Sequence, residues 1–120
     1  MFRIMCKSKI HRATITKRDL HYSGSIGVDK TLLEASDILP NEMVQVLNVN
    51  NGERFETYIV EEEAGSGTIA LYGPATYKGD IGDLVIIISY GMFDEKEARS
   101  TASNVVLVDA KNKIVKKKQK

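Results

Sequence analysis

The stretch MVQVLNVNNGERFETYIV, residues 43–60, decides what kind of fold this chain adopts. Two runs rich in β-branched and aromatic residues, 43–49 and 54–60, flank a short polar segment. Asn51 and Gly52 form the residue pair that most readily takes the left-handed backbone of a tight hairpin turn. The segment therefore predicts two antiparallel strands joined by a turn in which both Asn51 and Gly52 have a positive φ.

Short apolar runs recur along the chain between turn-forming residues, a pattern typical of a small mostly-β barrel or sandwich. The run at residues 84–90 (LVIIISY) is so uniformly apolar that we expect burial on both of its faces at the centre of the core. The other predicted strands are residues 12–16 (RATIT), 68–72 (TIALY), 104–108 (NVVLV) and 113–115. The last two are expected to pair as a hairpin through the turn residues between them.

Helix is scarce in the sequence. Asp29 can cap the free N–H groups of a helix over residues 29–36 before Pro40 interrupts, and a second, very short helix is predicted over residues 94–99. With 120 residues and neither linkers nor repeats, the chain is expected to form a single domain. Because one small core leaves no cleft between lobes, we expect an active site to need a second subunit.

The net charge of the chain does not indicate a binding partner. Lys and Arg total 17 against 16 Asp and Glu, so the net charge of +1 creates no field that would draw the protein to nucleic acid or to a membrane. The end of the chain, AKNKIVKKKQK at residues 110–120, is locally basic and is expected to be a solvated, frayed tail.

Cysteine content indicates a reducing compartment. Cys6 is the only cysteine, which excludes an intramolecular disulfide and the paired spacings of zinc ribbons. No apolar segment is long enough to cross a bilayer, and residues 1–12 lack the features of a signal peptide. The chain is therefore expected to be a soluble cytoplasmic protein that is not attached to a membrane.

Familiar cofactor motifs are absent. The sequence contains neither a GxxxxGK[ST] phosphate loop, nor GxGxxG, nor HExxH, nor a GxSxG elbow. His11 and His21 lack the accompanying cysteine or carboxylate pattern of a metal site, so no metal is expected.

The most informative segment is YSGSIG, residues 22–27. By itself, such a Gly/Ser cluster between strands predicts only a turn. The same residues permit another chemistry, because Gly24 has no Cβ to hinder attack on its carbonyl and can take backbone angles closed to other residues. Ser25 places a hydroxyl next to that carbonyl, and a strained turn would favour an ester in place of the peptide bond.

Four segments together resemble one family along nearly the whole chain: HRATIT (11–16), DLHYSGSIGVD (19–29), NVNNGERFETYIV (48–60) and GDIGDLVIIISYG (79–91). They closely resemble the pyruvoyl-dependent L-aspartate α-decarboxylases. The resemblance implies a six-stranded double-psi β-barrel with short helices, assembled as a homotetramer with active sites at subunit interfaces.

The resemblance also implies self-cleavage between Gly24 and Ser25. Residues 1–24 would become a β chain and residues 25–120 an α chain whose first residue, Ser25, is converted to a pyruvoyl cofactor. This carbonyl would form a Schiff base with L-aspartate, which loses CO2 to give β-alanine for pantothenate and coenzyme A synthesis. Whether maturation needs another protein stays open.

Site residues follow from the same resemblance. Thr57 is implied to polarise the Gly24 carbonyl during cleavage, and Tyr58 to donate the proton that quenches the α carbanion. The substrate-binding and pocket-lining residues implied by the resemblance are Lys9, Arg54, Thr57, Gly73, Pro74, Ala75, His11, Tyr22 and Tyr72. By residue type alone, Thr57 and Tyr58 are equally compatible with packing, and Lys9 and Arg54 with solvated surface charges.

Neighbouring residues on a strand point to opposite faces, so Thr57 and Tyr58 are expected to contact different parts of a site, even different subunits. One departure from the family stands out: the family usually has Asn-Gly-Ala-Ala where this chain has Tyr72, Gly73, Pro74 and Ala75. Tyr72 keeps a hydroxyl donor but is larger, so either the pocket is reshaped or the asparagine's role is transferred elsewhere.

Two alternatives remain at this level. The first is a non-catalytic β-barrel that binds nucleic acid or protein through its surface and basic tail, although the chain has no Trp and its tail no aromatic residue on which bases stack. The second is a homologue that keeps the fold but cannot process itself because of Tyr72.

Overall fold

The computed structural model describes residues 1–119, so Lys120, the last residue of the expected basic tail, lies outside the described residues. Within this range the chain forms nine strands, two α-helices and one 3-10 helix. The strands are β1 (Phe2–Thr14), β2 (Lys17–Asp19), β3 (Ser25–Asp29), β4 (Met43–Asn48), β5 (Arg54–Glu62), β6 (Ile69–Tyr72), β7 (Leu84–Asp94), β8 (Asn104–Val108) and β9 (Ile114–Gln119). The helices are α1 (Lys30–Ser36), α2 (Glu95–Ser100) and the 3-10 helix Gly73–Lys78.

The strands are hydrogen-bonded in the order β2-β6-β3-β5-β4-β7-β1-β8-β9. Three neighbouring pairs are parallel, namely β1 with β8, β2 with β6 and β3 with β5, and the other neighbouring pairs are antiparallel. Parallel neighbours require crossover connections rather than tight turns, so the chain winds across the sheet repeatedly. As a result β3, which begins at Ser25, lies between β5 and β6.

Within residues 1–119, the strands that supply side chains to the hydrophobic core cluster are β1, β3, β4, β5, β6 and β7, and α1 adds Leu32 and Leu33. Ile26, Ile59 and Leu71 are completely buried where β3 meets its two neighbours. The predicted mostly-β class with short helices is confirmed. Six strands supply the cluster, and residues 1–119 contain three further strands, β2, β8 and β9.

The predicted hairpin of residues 43–60 is confirmed as β4 and β5, but its turn differs from the prediction. Gly52 has a φ of 76°, whereas Asn51 is not in the left-handed region. The buried side chain of Asn48 accounts for the difference, because its Oδ1 accepts the N–H of Asn50 at 2.8 Å and that of Asn51 at 3.3 Å. These bonds hold a longer loop than a two-residue turn.

Strand β1 is much longer than the predicted strand at residues 12–16. It begins at Phe2 and ends at Thr14, and its first half pairs with the extension of β7, where Phe2 lies opposite Asp94. This part is mostly exposed, so it carries no strict alternation of apolar and polar residues. Arg12, with a φ of 64°, marks the register shift near the end of the strand.

Strand β7 confirms the predicted strand at residues 84–90 and extends it to Asp94. Ile87 and Ile88 point to opposite faces and are both buried, although Leu84 and Ile86 are only half-buried. Both predicted helices are also present. No helix within residues 1–119 has the length and apolar character needed to cross a membrane.

The expectation of a frayed basic tail is wrong over its second half. Strand β9 pairs antiparallel with β8, and its lysines lie along the sheet edge. The preceding turn is fixed by Asn112, which is 1% exposed and accepts the Thr14 N–H at 2.7 Å. Asn112 also donates to the carbonyl oxygens of Thr14 and Gly67. These bonds hold the β8–β9 turn against the end of β1 and the loop before β6.

Candidate active site

Ser25 stands at the first position of β3, enclosed by strands on both sides. It pairs with Tyr72 on β6, and the next residue, Ile26, pairs with Ile59 on β5. Ser25 is 0% exposed, and its hydroxyl donates to the carbonyl oxygen of Ser23 at 3.1 Å. The nucleophile implied by the resemblance is therefore ordered beside the Gly24 carbonyl, to which it is covalently adjacent.

Gly73 packs directly on the backbone that precedes Ser25. It has a φ of 61°, and a Cβ at this position would lie 2.7 Å from the Tyr22 carbonyl oxygen and 2.9 Å from both N and Cα of Gly24. Only glycine allows this approach. Gly24 itself is not in the left-handed region, so the expected special backbone at Gly24 is not present; a Cβ there would lie 3.2 Å from Cδ of Pro74.

A cleft of about 260 Å3 opens beside Gly24. It brings together four residues implied by the resemblance, which are Gly24, Thr57, Pro74 and Ala75. Phe55, Glu56 and Lys78 complete its lining. Lys78 was missed because it reaches the cleft at the end of the 3-10 helix, an element that the sequence pattern did not predict. A larger cavity of about 400 Å3 along β4 contains neither Gly24 nor Ser25.

Strand alternation divides the site into two sides. Thr57 lines the cleft beside Gly24, whereas its neighbour Tyr58 is 37% exposed and pairs with Met43 on the opposite face. Because Ile26 and Ile59 face the core together, the residues before them, Ser25 and Tyr58, share the outer face of the sheet. The predicted separation of Thr57 from Tyr58 is thus observed.

The cations implied to bind substrate lie away from Ser25. Lys9 is on β1, and four strand spacings separate β1 from β3. Lys9 is therefore not on a strand next to Ser25, and it does not line the cleft beside Gly24. Arg54 lies four residues before Tyr58 on β5, about 13 Å along the strand. Its Nη1 donates to Oε1 of Gln45 at 3.1 Å.

The two remaining pocket-lining candidates, His11 and Tyr22, lie in different parts of the structure. His11 lines a different cleft of about 280 Å3 beside β8, with Leu107 and Val108. Tyr22 is 52% exposed, and its ring centroid lies 4.6 Å from that of Tyr72. A single subunit therefore gathers Gly24, Ser25 and their neighbours, but not Lys9 or His11.

Comparison with known proteins identifies the family. The sequence profile of the aspartate decarboxylases matches residues 1–115. The chain belongs to the aspartate decarboxylase family. It is 55% identical over 115 residues to the aspartate 1-decarboxylase of Thermoanaerobacter pseudethanolicus, covering 96% of this chain and 98% of that protein. It is 57% identical over 119 residues to the aspartate 1-decarboxylase of Pelotomaculum thermopropionicum, covering 99% and 90%.

A solved structure is also similar, though distantly. The rationally designed protein mkDPBB_sym_86 matches with a TM-score of 0.48 at 12% identity, covering 66% of this chain and 91% of the designed one. This likeness is too distant to decide the fold of an aspartate decarboxylase, and the double-psi barrel stays an implication of the family.

Tyr72, at the position where the resemblance implies an asparagine, is buried at 5% exposure. Its hydroxyl donates to Oε2 of Glu62 at 2.6 Å. Burial first, and then the hydrogen bond to Glu62, raise the pKa of the Tyr72 phenol well above its usual value. Because its single proton is engaged by Glu62, the phenol has no proton left to donate to a group at Ser25.

Sequence reasoning missed Glu62 and Gly27 as partners of Tyr72. A Cβ on Gly27 would lie 2.1 Å from Oε2 of Glu62 and 2.9 Å from Cε2 of Tyr72. The available signal was an isolated glycine within a strand, which often marks the close approach of another group.

The pyruvoyl group of this family fits the position of Ser25. It is built from the serine's own Cα and Cβ and is no larger than the residue it replaces, so the enclosed position at the start of β3 has room for it. Tyr58 lies on the same face of the sheet as Ser25, on the neighbouring strand β5, and its phenol carries a transferable proton. Among residues 1–119, no group of three or more His, Cys, Asp or Glu side chains is arranged to hold a metal ion.

Proposed function

We propose that this chain is a self-processing aspartate 1-decarboxylase that converts L-aspartate to β-alanine and CO2. The observation that carries the proposal is the environment of the peptide bond between Gly24 and Ser25. Gly24 borders the cleft that contains Thr57, and Ser25 is buried with an ordered hydroxyl. The family membership of the chain supports the same reaction.

Self-cleavage uses groups that the chain itself supplies. The Ser25 oxygen adds to the Gly24 carbonyl carbon, and the peptide nitrogen leaves to give an ester. Thr57 donates a hydrogen bond to the oxyanion that develops there, a role supported by its position in the cleft beside Gly24. Loss of the Ser25 α proton then expels the Gly24 carboxylate, and water converts the resulting dehydroalanine to a pyruvoyl group and ammonia. The products are residues 1–24 and 25–120.

Decarboxylation requires three tasks of the protein. The pyruvoyl carbonyl supplies an acceptor for the substrate amine and for the electrons left at the α carbon when CO2 departs. Tyr58, on the same face of the sheet as Ser25, donates the proton that quenches this carbon. Arg54 and Lys9 bind the substrate carboxylates, Arg54 through two parallel hydrogen bonds.

We further propose that the active site is completed between copies of the chain in a homotetramer. Lys9 is four strands from Ser25 in the sheet order and does not line the cleft beside Gly24, which supports its supply by another copy. The outer face near Tyr58 also exposes large apolar side chains, since Ile4, Met43 and Met92 are 73%, 65% and 70% exposed. Such residues favour burial against another subunit.

The setting of the reaction is also a proposal. We place the enzyme in the cytoplasm, without a nucleic-acid or membrane partner, where its β-alanine feeds pantothenate and coenzyme A synthesis. The lone Cys6 fits a reducing compartment.

The test is the intact mass of the purified chain before and after warm incubation, with β-alanine formation measured on the same samples. We expect two fragments divided between Gly24 and Ser25, the larger one carrying a pyruvoyl group, and activity that rises with them. Ser25→Ala should remain one inactive chain. A wild-type chain that stays whole, or a Ser25→Ala chain with normal activity, would overturn the proposal.

A further inference from the structure

Glu62, Gly27 and Tyr72 lie on one face of three neighbouring strands, β5, β3 and β6. Gly27 pairs with Val60 on one side and with Ala70 on the other, so the side chains of Glu62 and Tyr72 meet diagonally above it. The 2.6 Å hydrogen bond from the Tyr72 hydroxyl to Oε2 of Glu62 passes over the space that a larger residue 27 would fill. The missing Cβ of Gly27 therefore leaves the room that this hydrogen bond needs.

The hydrogen bond fixes the far end of the Tyr72 side chain, while the near end is fixed by the backbone pairing of Tyr72 with Ser25. The ring held between these points supports Tyr22, whose ring lies at 4.6 Å with an angle of 49° between the planes. The Lys17 ammonium lies 5.5 Å from the Tyr72 ring centroid and adds a cation–π contact. Tyr22 is otherwise half exposed in a loop.

Tyr22 is joined through Ser23 to Gly24, and its carbonyl oxygen packs on Gly73, the residue after Tyr72. The segment before the cleaved bond is thus held at its ring by Tyr72 and at its backbone by Gly73. Attack of a serine hydroxyl on the preceding carbonyl requires both groups in a near-attack geometry, which a loose segment rarely adopts.

We propose that Glu62 is a positioning residue for self-cleavage: through Tyr72 it holds Tyr22, and thereby residues 22–24, in the conformation that the reaction of Ser25 with Gly24 requires. The inference rests on the proposed self-processing function and adds a role to a residue outside the cleft. Glu62 does not contact the reacting atoms, so its removal slows maturation and leaves the chemistry of the mature site intact.

The experiment measures the first-order rate of cleavage by intact mass on chains purified rapidly in the cold. Glu62→Ala leaves the buried phenol without its acceptor and should slow cleavage about tenfold. Glu62→Gln keeps an oxygen acceptor and should remain within about threefold of wild type. The matched control is Glu63→Ala, which removes an exposed carboxylate of the neighbouring residue and should change nothing.

Two further measurements separate positioning from a general loss of structure. Once fully cleaved, Glu62→Ala should have kcat/KM per pyruvoyl group within about twofold of wild type, because Glu62 acts before the site exists. In a double-mutant cycle, Glu62→Ala should add little to the effect of Tyr72→Phe, since both remove the same hydrogen bond. If Glu62→Ala does not fold, Tyr72→Phe and Glu62→Gln test the same bond.

The inference fails if wild type cleaves and decarboxylates but Glu62→Ala cleaves equally fast, or if the effects of Glu62→Ala and Tyr72→Phe simply add. It also fails if Glu62→Ala slows cleavage and mature kcat/KM alike. A wild-type chain that neither cleaves nor decarboxylates overturns the proposed function itself, which distinguishes the two failures.

Discussion

The cleft beside Gly24 and the outer face that carries Arg54 and Lys9 are built in opposite ways. In the cleft, backbone packs on backbone, with Gly73 so close to Gly24 that no Cβ fits between them. On the outer face, Lys9 and Arg54 stand on strands separated by β4 and β7. In the proposed function, maturation uses groups of one chain, whereas substrate binding uses a second copy.

The largest effect is expected from Gly73→Ala, which changes the backbone packing beside Gly24. The new Cβ would lie 2.7 Å from the Tyr22 carbonyl oxygen on a backbone with a φ of 61°. Strain and collision together cost about 3 kcal/mol, so cleavage should slow about 100-fold. Intact mass over time measures this rate.

Gly82→Ala is the matched control for Gly73→Ala. Its φ of 96° is equally unsuited to alanine, but no atom lies within 4 Å of the added Cβ. It should lower stability and leave the cleavage rate per folded chain unchanged. Equal cleavage by the Gly73→Ala chain and wild type would show that the close packing beside Gly24 is irrelevant to maturation.

Arg54→Ala changes the outer face and leaves the cleft beside Gly24 intact. Loss of a charge-assisted contact to a substrate carboxylate should raise KM for aspartate about 10- to 100-fold. Cleavage should proceed at the wild-type rate, because Arg54 binds Gln45 rather than any group of the cleft. Arg99→Ala, which removes an exposed arginine bound to Glu95, is the control. Slow cleavage with an unchanged KM would reverse the assignment of Arg54 to substrate binding.

A smaller effect, on the free energy of unfolding of the whole chain, is expected from a change at Asp29, at the end of β3. This buried carboxylate accepts the N–H groups of Thr31, Gly65 and Gly67 at 2.8, 2.9 and 2.8 Å. Burial by itself raises the pKa of Asp29, but these donors outweigh it and hold the pKa below its usual value. The resulting stability is present above the unfolded-state pKa and is lost as the pH falls through the lower folded-state pKa.

Asp29→Asn in the Ser25→Ala chain should therefore lower the free energy of unfolding by about 1 to 3 kcal/mol at pH 7, and by less near pH 3. Urea unfolding at both pH values measures the difference. Asp80→Asn, which alters an exposed carboxylate, should cost less than about 0.5 kcal/mol. An Asp29→Asn effect that is the same at both pH values would contradict the role of the ionised carboxylate.

The residues of the cleft were predicted from the sequence more completely than the contacts around the cleft. Alternation along β5 correctly separated Thr57 from Tyr58, because the period of a strand depends on backbone geometry alone. The resemblance named Gly24, Thr57, Pro74 and Ala75, which do meet in one cleft. Glu62 was missed because its contact with Tyr72 depends on the register between strands distant in sequence.

The fold shows the same limit. The apolar run in β7 was identified because burial on both faces leaves a clear signal. The first half of β1 was missed because an exposed strand stabilised by pairing with the end of β7 has no such signal. The turn before β5 was mispredicted at Asn51, since the side chain of Asn48 decides its conformation.

We propose above all that the self-cleaved site is completed by a second copy of the chain. Mixing subunits of Ser25→Ala, which retains Lys9, with subunits of Lys9→Ala, which forms the pyruvoyl group, tests it most directly. Each variant alone should have little activity at low aspartate, and hybrid tetramers formed by co-expression should regain about a quarter of the wild-type sites by random pairing. Hybrid tetramers, verified by native mass, that are no more active than their parents would contradict the claim.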